Sequence, residues 1–362
     1  MRVLVVSNMY PDDKHPSYGI FVAKFCEQLT DAGIDYELSV MHKAENLISK
    51  VLGYVAFYLG SVYKILTNQY DIIYIHYASH SSAPVLFANR IKKQQIFTNV
   101  HGSDVIPENE RQLRFQKYTK NALKHSEIIV VPSLYFKEVV SNKYGVDRDI
   151  IKVYPSGGVD ESIFHSYSSE ETDKIKDRYG FDNNKKTFAY VGRISEGKGW
   201  DTFVEAINRN NNFDSVNYII VGDGPQRDTL DKLLSNYNLQ NKIIQIGLLP
   251  HRELAVFYAA IDFLVFPTKR EGESLGLVAL EAMACGTPVI ASDYAAPHYY
   301  MKDFYNGRVF QMGNYIALSK VLKDCETVGT EDLRIGAKQT VEPYLKKNIG
   351  HVIAEIIREE KR

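Results

Sequence analysis

The chain has 362 residues, which suits two domains because a globular domain usually has about 100–200 residues. Hydrophobic residues make up 45% of it and charged residues 24%, so there is enough apolar material for two buried cores. Its 43 Lys and Arg residues are balanced by 44 Asp and Glu residues, and the formal charge of −1 excludes a general attraction to nucleic acid. We expect no nucleic-acid partner, and any anion-binding site must be local.

The cysteines and the opening residues bear on location. Cys26, Cys285 and Cys325 are far apart, which argues against a disulfide framework or a structural zinc site and favours a reducing compartment. The apolar run in residues 1–7 is short, so it predicts a buried strand and not a signal peptide. We expect a cytoplasmic protein, with the inner face of the plasma membrane as the alternative.

Short β-rich runs alternate with stretches of helical period along the whole chain. Several of the runs are continuously apolar, which is typical of parallel strands covered on both faces. The alternation predicts an α/β fold of two doubly wound, Rossmann-like domains that face each other across a cleft. The predicted strands are 3–7, 36–40, 72–76, 96–100, 128–131 and 151–154 in the first domain, and 188–191, 218–221, 243–246, 263–266, 289–291 and 309–310 in the second.

The predicted domain boundary lies in a polar segment between Ser166 and Lys186, after which the strand pattern restarts. We therefore predict a first domain over 1–166 and a second over 167–343. The remaining segment, 344–362, predicts a C-terminal helix that packs back toward the first domain.

Two helical segments raise the question of membrane contact. Segment 51–66 is the most apolar, but it is interrupted and falls short of the ~20 residues that span a bilayer. It predicts a core-facing helix, with bilayer contact as the alternative. Segment 111–124 predicts a helix with a basic face, which is either merely solvated or meets anionic lipid or a lipid-diphosphate acceptor. That face carries Arg111, Arg114, Lys117, Lys120 and Lys124.

The most specific stretch is 267–289, in which a strand leads through a polar loop into a helix that begins near Leu275. Amides at a helix start favour a phosphate, and Gly276 would let it approach the backbone. Glu273 and Glu281, roughly 7 Å apart along the axis, would bracket a diphosphate by accepting hydrogen bonds from sugar and ribose hydroxyls. The structural alternative is a dipole-favoured Glu273 and an ordinary surface Glu281.

A glycine-rich loop follows the predicted strand 188–191. Its Arg193 and Lys198 would neutralise a departing diphosphate. The loop nearly matches a phosphate-binding P-loop, but Gly199 stands where that motif needs Ser or Thr. The structural alternative is a turn with solvated charges.

These segments resemble the signature of glycosyltransferase family 4, and they occur along the chain in the order that the family has. Members of that family are retaining enzymes of the two-domain GT-B type, related to glycogen synthase. The resemblance rests on Glu-Ser-Leu-Gly-Leu-Val-Ala-Leu-Glu from Glu273 and on Val-Gly-Arg-Ile-Ser-Glu-Gly-Lys-Gly from Val191. It continues in Ile-Val-Gly-Asp-Gly-Pro from Ile220, His-Gly-Ser-Asp from His101 and Pro-Ser-Gly-Gly-Val-Asp from Pro155. It covers nearly the whole chain.

The resemblance implies a glycosyltransferase that uses a nucleotide-diphosphate sugar, with UDP expected and GDP as the alternative, and that needs no cofactor. It places donor binding in the second domain and assigns to the first a saccharide or lipid-linked saccharide acceptor, in bacterial surface polysaccharide synthesis. The implied catalytic residues are His101, Arg193, Lys198 and Glu273. The implied donor-binding residues are Gly19, Gly192, Leu248, Leu249, Ser274, Leu275, Gly276, Leu277 and Glu281.

Three positions qualify that assignment. Gly19 follows Tyr18, where many members of the family have a glycine pair. Ala295 begins an Ala-Ala-Pro sequence that replaces family glycines, which bears on sugar selection. Asp147 and Asp149 form an Asp-x-Asp before a predicted strand, whereas metal-dependent transferases have theirs just after one, so no metal site is expected.

Two other functions remain as alternatives. A nucleotide-sugar 2-epimerase of the same architecture would use the same cleft but would not need the paired glutamates. A non-catalytic nucleotide-binding or carbohydrate-binding protein would not need Arg193, Lys198, Glu273 and Glu281 together.

Overall fold

The structure is a computed structural model that describes residues 1–359. Its internal contacts divide the chain into two units, one of Met1–Gly157 together with the chain from Asn348 onward, the other of Gly158–Lys347. The predicted boundary after residue 166 is therefore corrected. The segment that follows Gly157 belongs to the second unit because Val159 N–H donates to the Tyr344 carbonyl at 2.9 Å and Phe164 is buried in that unit's core.

The first unit contains one parallel six-stranded sheet in the order β2-β1-β3-β4-β5-β6. The sequence predicted every strand of it to within a residue at each end. The strands are β1 (Arg2–Ser7), β2 (Asp35–Val40), β3 (Ile72–His76), β4 (Gln95–Asn99), β5 (Ile128–Val131) and β6 (Ile151–Val153), and the helices are α1 (Ile20–Asp31), α2 (Leu47–Thr67), α3 (Ala78–Asn89), α4 (Glu110–Lys124) and α5 (Leu134–Tyr144).

Both faces of this sheet are covered, as the continuously apolar strands predict. Val3 and Val5 of β1 belong to the core that α1 covers. Leu4 and Val6, which alternate with them, belong to the core that α2 and α3 cover. Because successive side chains of a strand point to opposite faces of the sheet, β1 contributes to two hydrophobic cores.

Helix α2 only partly matches the prediction of a core-facing helix. Asn46 caps its start by accepting from Ser49 N–H at 2.8 Å. Phe57, Ser61 and Ile65 are its buried residues. Most of its other large apolar side chains are exposed, so the sequence prediction is corrected for the outer face of the helix.

The second unit contains another parallel six-stranded sheet, in the order β12-β11-β10-β7-β8-β9. Its strands were predicted to within two residues. They are β7 (Lys186–Val191), β8 (Val216–Val221), β9 (Ile243–Ile246), β10 (Phe263–Phe266), β11 (Val289–Ser292) and β12 (Gly307–Phe310), and the helices are α6 (Ser169–Tyr179), α7 (Trp200–Asn210), α8 (Arg227–Asn236), α9 (His251–Ala260), α10 (Leu277–Ala284), α11 (Tyr315–Cys325) and α12 (Glu331–Val341).

The order of these strands reverses between β7 and β10. The two strands are hydrogen-bonded neighbours, yet the chain continues from β7 toward β8 on one side and from β10 toward β11 on the other. Helix α7 belongs to the core on one face of the sheet and α10 to the core on the other. The loops that leave β7 and β10 therefore open a crevice at the carboxyl edge of the sheet, where open α/β sheets bind ligands.

The last helix, α13 (Lys346–Glu359), returns to the first unit. Ile349, Ile353 and Ile357 are buried in the core that α1 covers. The final residues of the predicted segment, 360–362, lie outside the described residues. Within the described chain, no helix combines the length and the apolar composition needed to cross a membrane.

Candidate functional site

The loops after β7 and β10 are joined to each other by backbone contacts. Lys269 N–H donates to the Gly197 carbonyl at 2.7 Å. Gly199, in the left-handed conformation at φ 79°, begins α7 so close to the other loop that a Cβ there would lie 1.8 Å from the Pro267 carbonyl oxygen. Ser292 at the end of β11 donates to the Thr268 carbonyl at 2.6 Å. The loops therefore form one braced structure.

Replacing Gly199 by Ala should disrupt this brace. The side chain would meet a left-handed backbone and a carbonyl oxygen that cannot move without separating the loops, so we expect a loss of unfolding free energy above about 3 kcal/mol. Gly180→Ala is the matched control, because Gly180 has φ 71° but no atom within 4 Å of the added Cβ. It should cost only about 1–2 kcal/mol. Urea unfolding of both variants checks this, and equal losses would contradict it.

Helix α10 begins at Leu277, two residues after the predicted start near Leu275. The difference arises because Gly276 adopts φ 78°, which ends the loop and turns the chain into the helix. No acceptor lies among the described residues for the N–H groups of Leu277 and Val278, which have no partner inside the helix. Leu275 is buried in the core, so only its backbone can reach a ligand. The helix start thus presents free amides and a positive dipole end.

Lys198 and Glu273 form an ion pair beside this helix start. Lys198 Nζ lies 2.8 Å from Glu273 Oε2, and Thr268 Oγ1 donates to the same oxygen at 3.3 Å. The side chains of Lys198 and Glu273 are only 20% and 12% exposed. The pairing matters because a carboxylate removed from water without a cation is strongly destabilising. The structure therefore brings together two of the predicted catalytic residues, Lys198 and Glu273, and it leaves Arg193 exposed on the same loop as Lys198.

The other predicted donor-binding residues of this unit lie at or near the same edge of the sheet. Gly192 directly follows β7. Leu248, 78% exposed, and Leu249 lie between β9 and α9. Partly buried Ser274 is in the loop before α10, and Glu281 is the fifth residue of that helix.

Two tyrosines at this site were not predicted. The Tyr190 hydroxyl donates to the Arg193 carbonyl at 3.0 Å and so holds the loop after β7. The Tyr300 hydroxyl would lie 2.7 Å from a Cβ at Gly276, and it is buried with no hydrogen-bond partner among the described residues. Burial, and then the charge of Glu273, raises the pKa of Tyr300 well above its usual value, so it remains a donor. Neither tyrosine belongs to a sequence motif, and only the fold brings them here.

His101 and Gly19 lie in the first unit, at the carboxyl edge of its sheet. The Phe21 ring, two residues after Gly19, packs against His101 with ring centroids 4.2 Å apart. A Cβ at Gly19 would lie 2.6 Å from the Met9 carbonyl carbon, so this position requires glycine. His101 Nε2 and His76 Nδ1 are 3.1 Å apart, and no sequence motif predicts this pairing.

The backbone of the His101 loop is fixed by Asp104. Its carboxylate accepts from His101 N–H at 3.0 Å, from Gly102 N–H at 2.9 Å and from Ala78 N–H at 3.2 Å. Burial raises the pKa of Asp104, and these backbone bonds oppose that shift. The His-Gly-Ser-Asp segment is therefore a structural turn that presents His101.

The titration of His101 predicts a pH dependence of stability. Burial lowers the pKa of His101 to about 3, whereas in the unfolded chain it is about 6.5. The unfolded chain binds the proton in this interval and the folded chain does not, so the contribution of His101 is complete above about pH 6.5 and is lost as the pH falls. Between pH 7 and pH 5, His101→Gln should lose about 2 kcal/mol less unfolding free energy than the parent. Denaturant unfolding at both pH values measures this; equal losses in the two proteins would contradict it.

Within residues 1–358, no group of three or more His, Cys, Asp and Glu side chains is arranged to hold a metal ion. Asp147 caps a short helical turn by accepting from Asp149 N–H at 3.1 Å, directly before β6. This is a local turn contact.

Two family models match the chain and together span both units. The model described as Glycosyltransferase Family 4 matches residues 2–161, and the model described as Glycosyl transferases group 1 matches residues 171–339.

Among curated relatives, an α-monoglucosyldiacylglycerol synthase of Acholeplasma laidlawii is 29% identical over 236 residues, which cover 64% of this chain and 56% of the relative. An uncharacterised glycosyltransferase of Methanocaldococcus jannaschii is 29% identical over 300 residues, covering 80% of this chain and 76% of the relative. The match thus spans just over half of the first relative.

Among solved structures, HepE of Anabaena in complex with UDP has a TM-score of 0.76 at 19% identity, with 99% of this chain and 100% of that chain covered. Sucrose-phosphate synthase of Thermosynechococcus elongatus has a TM-score of 0.77 at 19% identity, with 99% and 98% covered. At this identity the likeness establishes the fold, and it confirms the predicted α/β architecture of GT-B type.

Proposed function

This chain belongs to glycosyltransferase family 4, and on that premise we propose that it is a retaining, metal-independent enzyme that transfers a sugar from a nucleotide-diphosphate sugar to a saccharide or lipid-linked acceptor. The observation that carries the proposal is the Lys198–Glu273 pair beside the free amides that begin α10. A helix start with a neighbouring cation is suited to a diphosphate.

In the proposed reaction, the diphosphate binds at the start of α10. Negative charge builds on it as the bond between the sugar carbon and the phosphate oxygen breaks. Lys198 and Arg193 stabilise that charge and so lower the barrier. Two cationic side chains supply the neutralisation that a divalent metal supplies in other transferases, which is why we propose a metal-independent reaction.

Glu273 is proposed to hold the sugar by accepting hydrogen bonds from its hydroxyls. Its pairing with Lys198 makes it a poor nucleophile, so we propose that the acceptor oxygen attacks from the face that the diphosphate leaves. The acceptor proton passes to the departing diphosphate, and the anomeric configuration is retained. The contributions of the remaining predicted residues are a sugar contact by His101, a ribose contact by Glu281, a phosphate contact by the backbone at Gly19 and a nucleobase contact by the backbone at Leu248 and Leu249.

UDP is the proposed nucleotide, because HepE has been crystallised with UDP and glucose and has the same fold. The acceptor proposal draws on the names of relatives, which include a glucosyldiacylglycerol synthase and a teichuronic acid biosynthesis glycosyltransferase of Bacillus subtilis. Other relatives are named for small acceptors, L-malate and 2-deoxystreptamine, so the names by themselves do not decide the acceptor class. We propose a bacterial surface glycolipid or polysaccharide.

The test is a panel of UDP-sugars and GDP-sugars, each incubated with a diacylglycerol or saccharide acceptor in the presence and absence of EDTA. We expect one donor to give a glycoside whose anomeric configuration by proton NMR equals that of the donor, with and without EDTA. An inverted product, or activity abolished by EDTA and restored by a metal, would overturn those parts of the proposal. An epimerised sugar in the absence of acceptor would favour the epimerase instead.

A further inference from the structure

The outer face of α2 is unusually apolar for an exposed surface. Seven large apolar side chains on this one helix are between 51% and 76% exposed. Scattered apolar residues are common on protein surfaces, but a contiguous group of this kind marks an interaction site. The seven are Leu47, Ile48, Val51, Leu52, Val55, Leu59 and Tyr63.

These side chains follow the helical repeat. Ile48, Leu52, Val55, Leu59 and Tyr63 are spaced by three or four residues, so they form one stripe along the helix. The opposite face carries the buried residues of α2. The helix contains no acidic residue, and its two charged residues are lysines.

Helix α4 carries the basic face predicted from the sequence, and that face is exposed. It contains five basic residues and a single acidic one, Glu110, in its first turn. All five basic side chains are exposed: Arg111, Arg114, Lys117, Lys120 and Lys124. Because the whole chain has a formal charge of −1, this local excess is not a consequence of composition.

The two surfaces meet in one groove. Helix α3 packs against both α2 and α4. Residues of all three helices line an open groove of about 490 Å³. Arg111 lies at this groove, and burial followed by the positive charges of Arg111 and Lys50 lowers the pKa of His80 to about 4. Cations from both helices therefore flank an apolar groove. It is lined by Tyr54, Val55, Tyr58, Leu59, His80, Arg111 and Phe115.

We propose that the first unit docks on the surface of an anionic lipid bilayer through the outer face of α2 and the basic face of α4. The apolar stripe enters the boundary between headgroups and acyl chains, and the cations contact lipid phosphates. A helix with an apolar face beside clustered Lys and Arg is the pattern of a segment that lies in the membrane interface. An anionic bilayer supplies both an apolar layer and a surface of phosphates, whereas a protein partner would have to combine an apolar surface with an acidic one.

The mode of attachment follows from the other face of α2. Phe57 and Ile65 are buried in the core of the unit, so the helix can lie on a bilayer but not cross it. The inference concerns binding to lipid and does not depend on the proposed transfer reaction.

The experiment is co-sedimentation of the whole protein with vesicles that contain no acceptor sugar. One set is phosphatidylcholine alone, and the other is phosphatidylcholine and phosphatidylglycerol in equal parts. We expect binding to the anionic vesicles to be at least about tenfold tighter, and weaker at high salt. Equal binding to both sets, or binding to neither, would overturn the proposal.

Variants separate the two surfaces. Leu52→Ser with Leu59→Ser, and separately Arg114→Glu with Lys117→Glu, should each weaken binding at least about tenfold without lowering the melting temperature, because all four side chains are exposed. The matched controls are on α11 of the second unit, where Ile316→Ser and the pair Lys320→Glu with Lys323→Glu should change nothing. Equal loss in the controls would contradict the assigned surface. A dimer that Leu52→Ser with Leu59→Ser dissociates would show instead that a second copy covers α2.

Discussion

Replacing Glu273 by Gln is expected to lower kcat/KM for sugar transfer by about a hundredfold to a thousandfold while leaving the protein folded. The amide keeps the size of the side chain but loses the charge that pairs with Lys198 at 2.8 Å. It also loses the carboxylate that we propose accepts hydrogen bonds from the sugar. Because these bonds strengthen as the glycosidic bond breaks, the loss should appear mainly in kcat. Initial rates with the donor identified in the panel measure it.

Glu253→Gln is the control for that variant. Glu253 is in the same unit, is 20% exposed and pairs with Arg178 at 2.7 Å, so it matches Glu273 in burial and pairing but not in position. Its kcat/KM should equal that of the parent. If both variants lost activity equally, or if Glu273→Gln retained full turnover, the role assigned to Glu273 would be wrong.

Replacing Lys198 by Met should weaken UDP binding by about tenfold or more and lower kcat by about a hundredfold. UDP binds more weakly because the variant lacks the proposed attraction between the Lys198 ammonium and the diphosphate. The value of kcat falls because the charge that develops on the departing diphosphate is no longer stabilised. The binding loss should diminish as salt is raised, because an electrostatic contribution is screened. Isothermal titration with UDP and single-turnover kinetics separate the two effects.

Lys186→Met is the matched control. Lys186 begins β7, whereas Lys198 follows the other end of that strand, and it pairs with Asp262 at 3.3 Å with 27% of its side chain exposed. Its loss should leave UDP affinity unchanged. If Lys198→Met bound UDP as tightly as the parent, the proposed contact between Lys198 and the diphosphate would be wrong.

The sequence allowed the strands and the two loops to be predicted because both depend on local signals. Runs such as Ile-Ile-Val-Val at 128–131 are apolar at every position, which is typical of a strand buried on both faces. Gly276 and Gly199 mark the starts of two helices through their left-handed conformations. These features require only neighbours along the chain.

The remaining features depend on contacts between distant segments. The Lys198–Glu273 pair joins residues 75 positions apart, and Tyr300 reaches the start of α10 only because the sheet places it there. The predicted unit boundary differs from the observed one for the same reason, because the backbone of Val159 is hydrogen-bonded to Tyr344 and Lys346. No periodicity in the sequence carries such information.

Helix α2 shows a further limit. It is apolar on both faces, and a hydrophobic segment of that kind is normally interpreted as buried throughout. Only the packing of Phe57 and Ile65 shows which face is covered. The opposite face is exposed, and it is the surface that we propose contacts lipid.

The most direct measurement is a crystal structure of the protein soaked with UDP. We predict density for the two phosphates within hydrogen-bonding distance of the Leu277 and Val278 amides, with the Lys198 ammonium turned toward them. Nucleotide density at any other place, with the start of α10 left without a phosphate, would contradict the central claim.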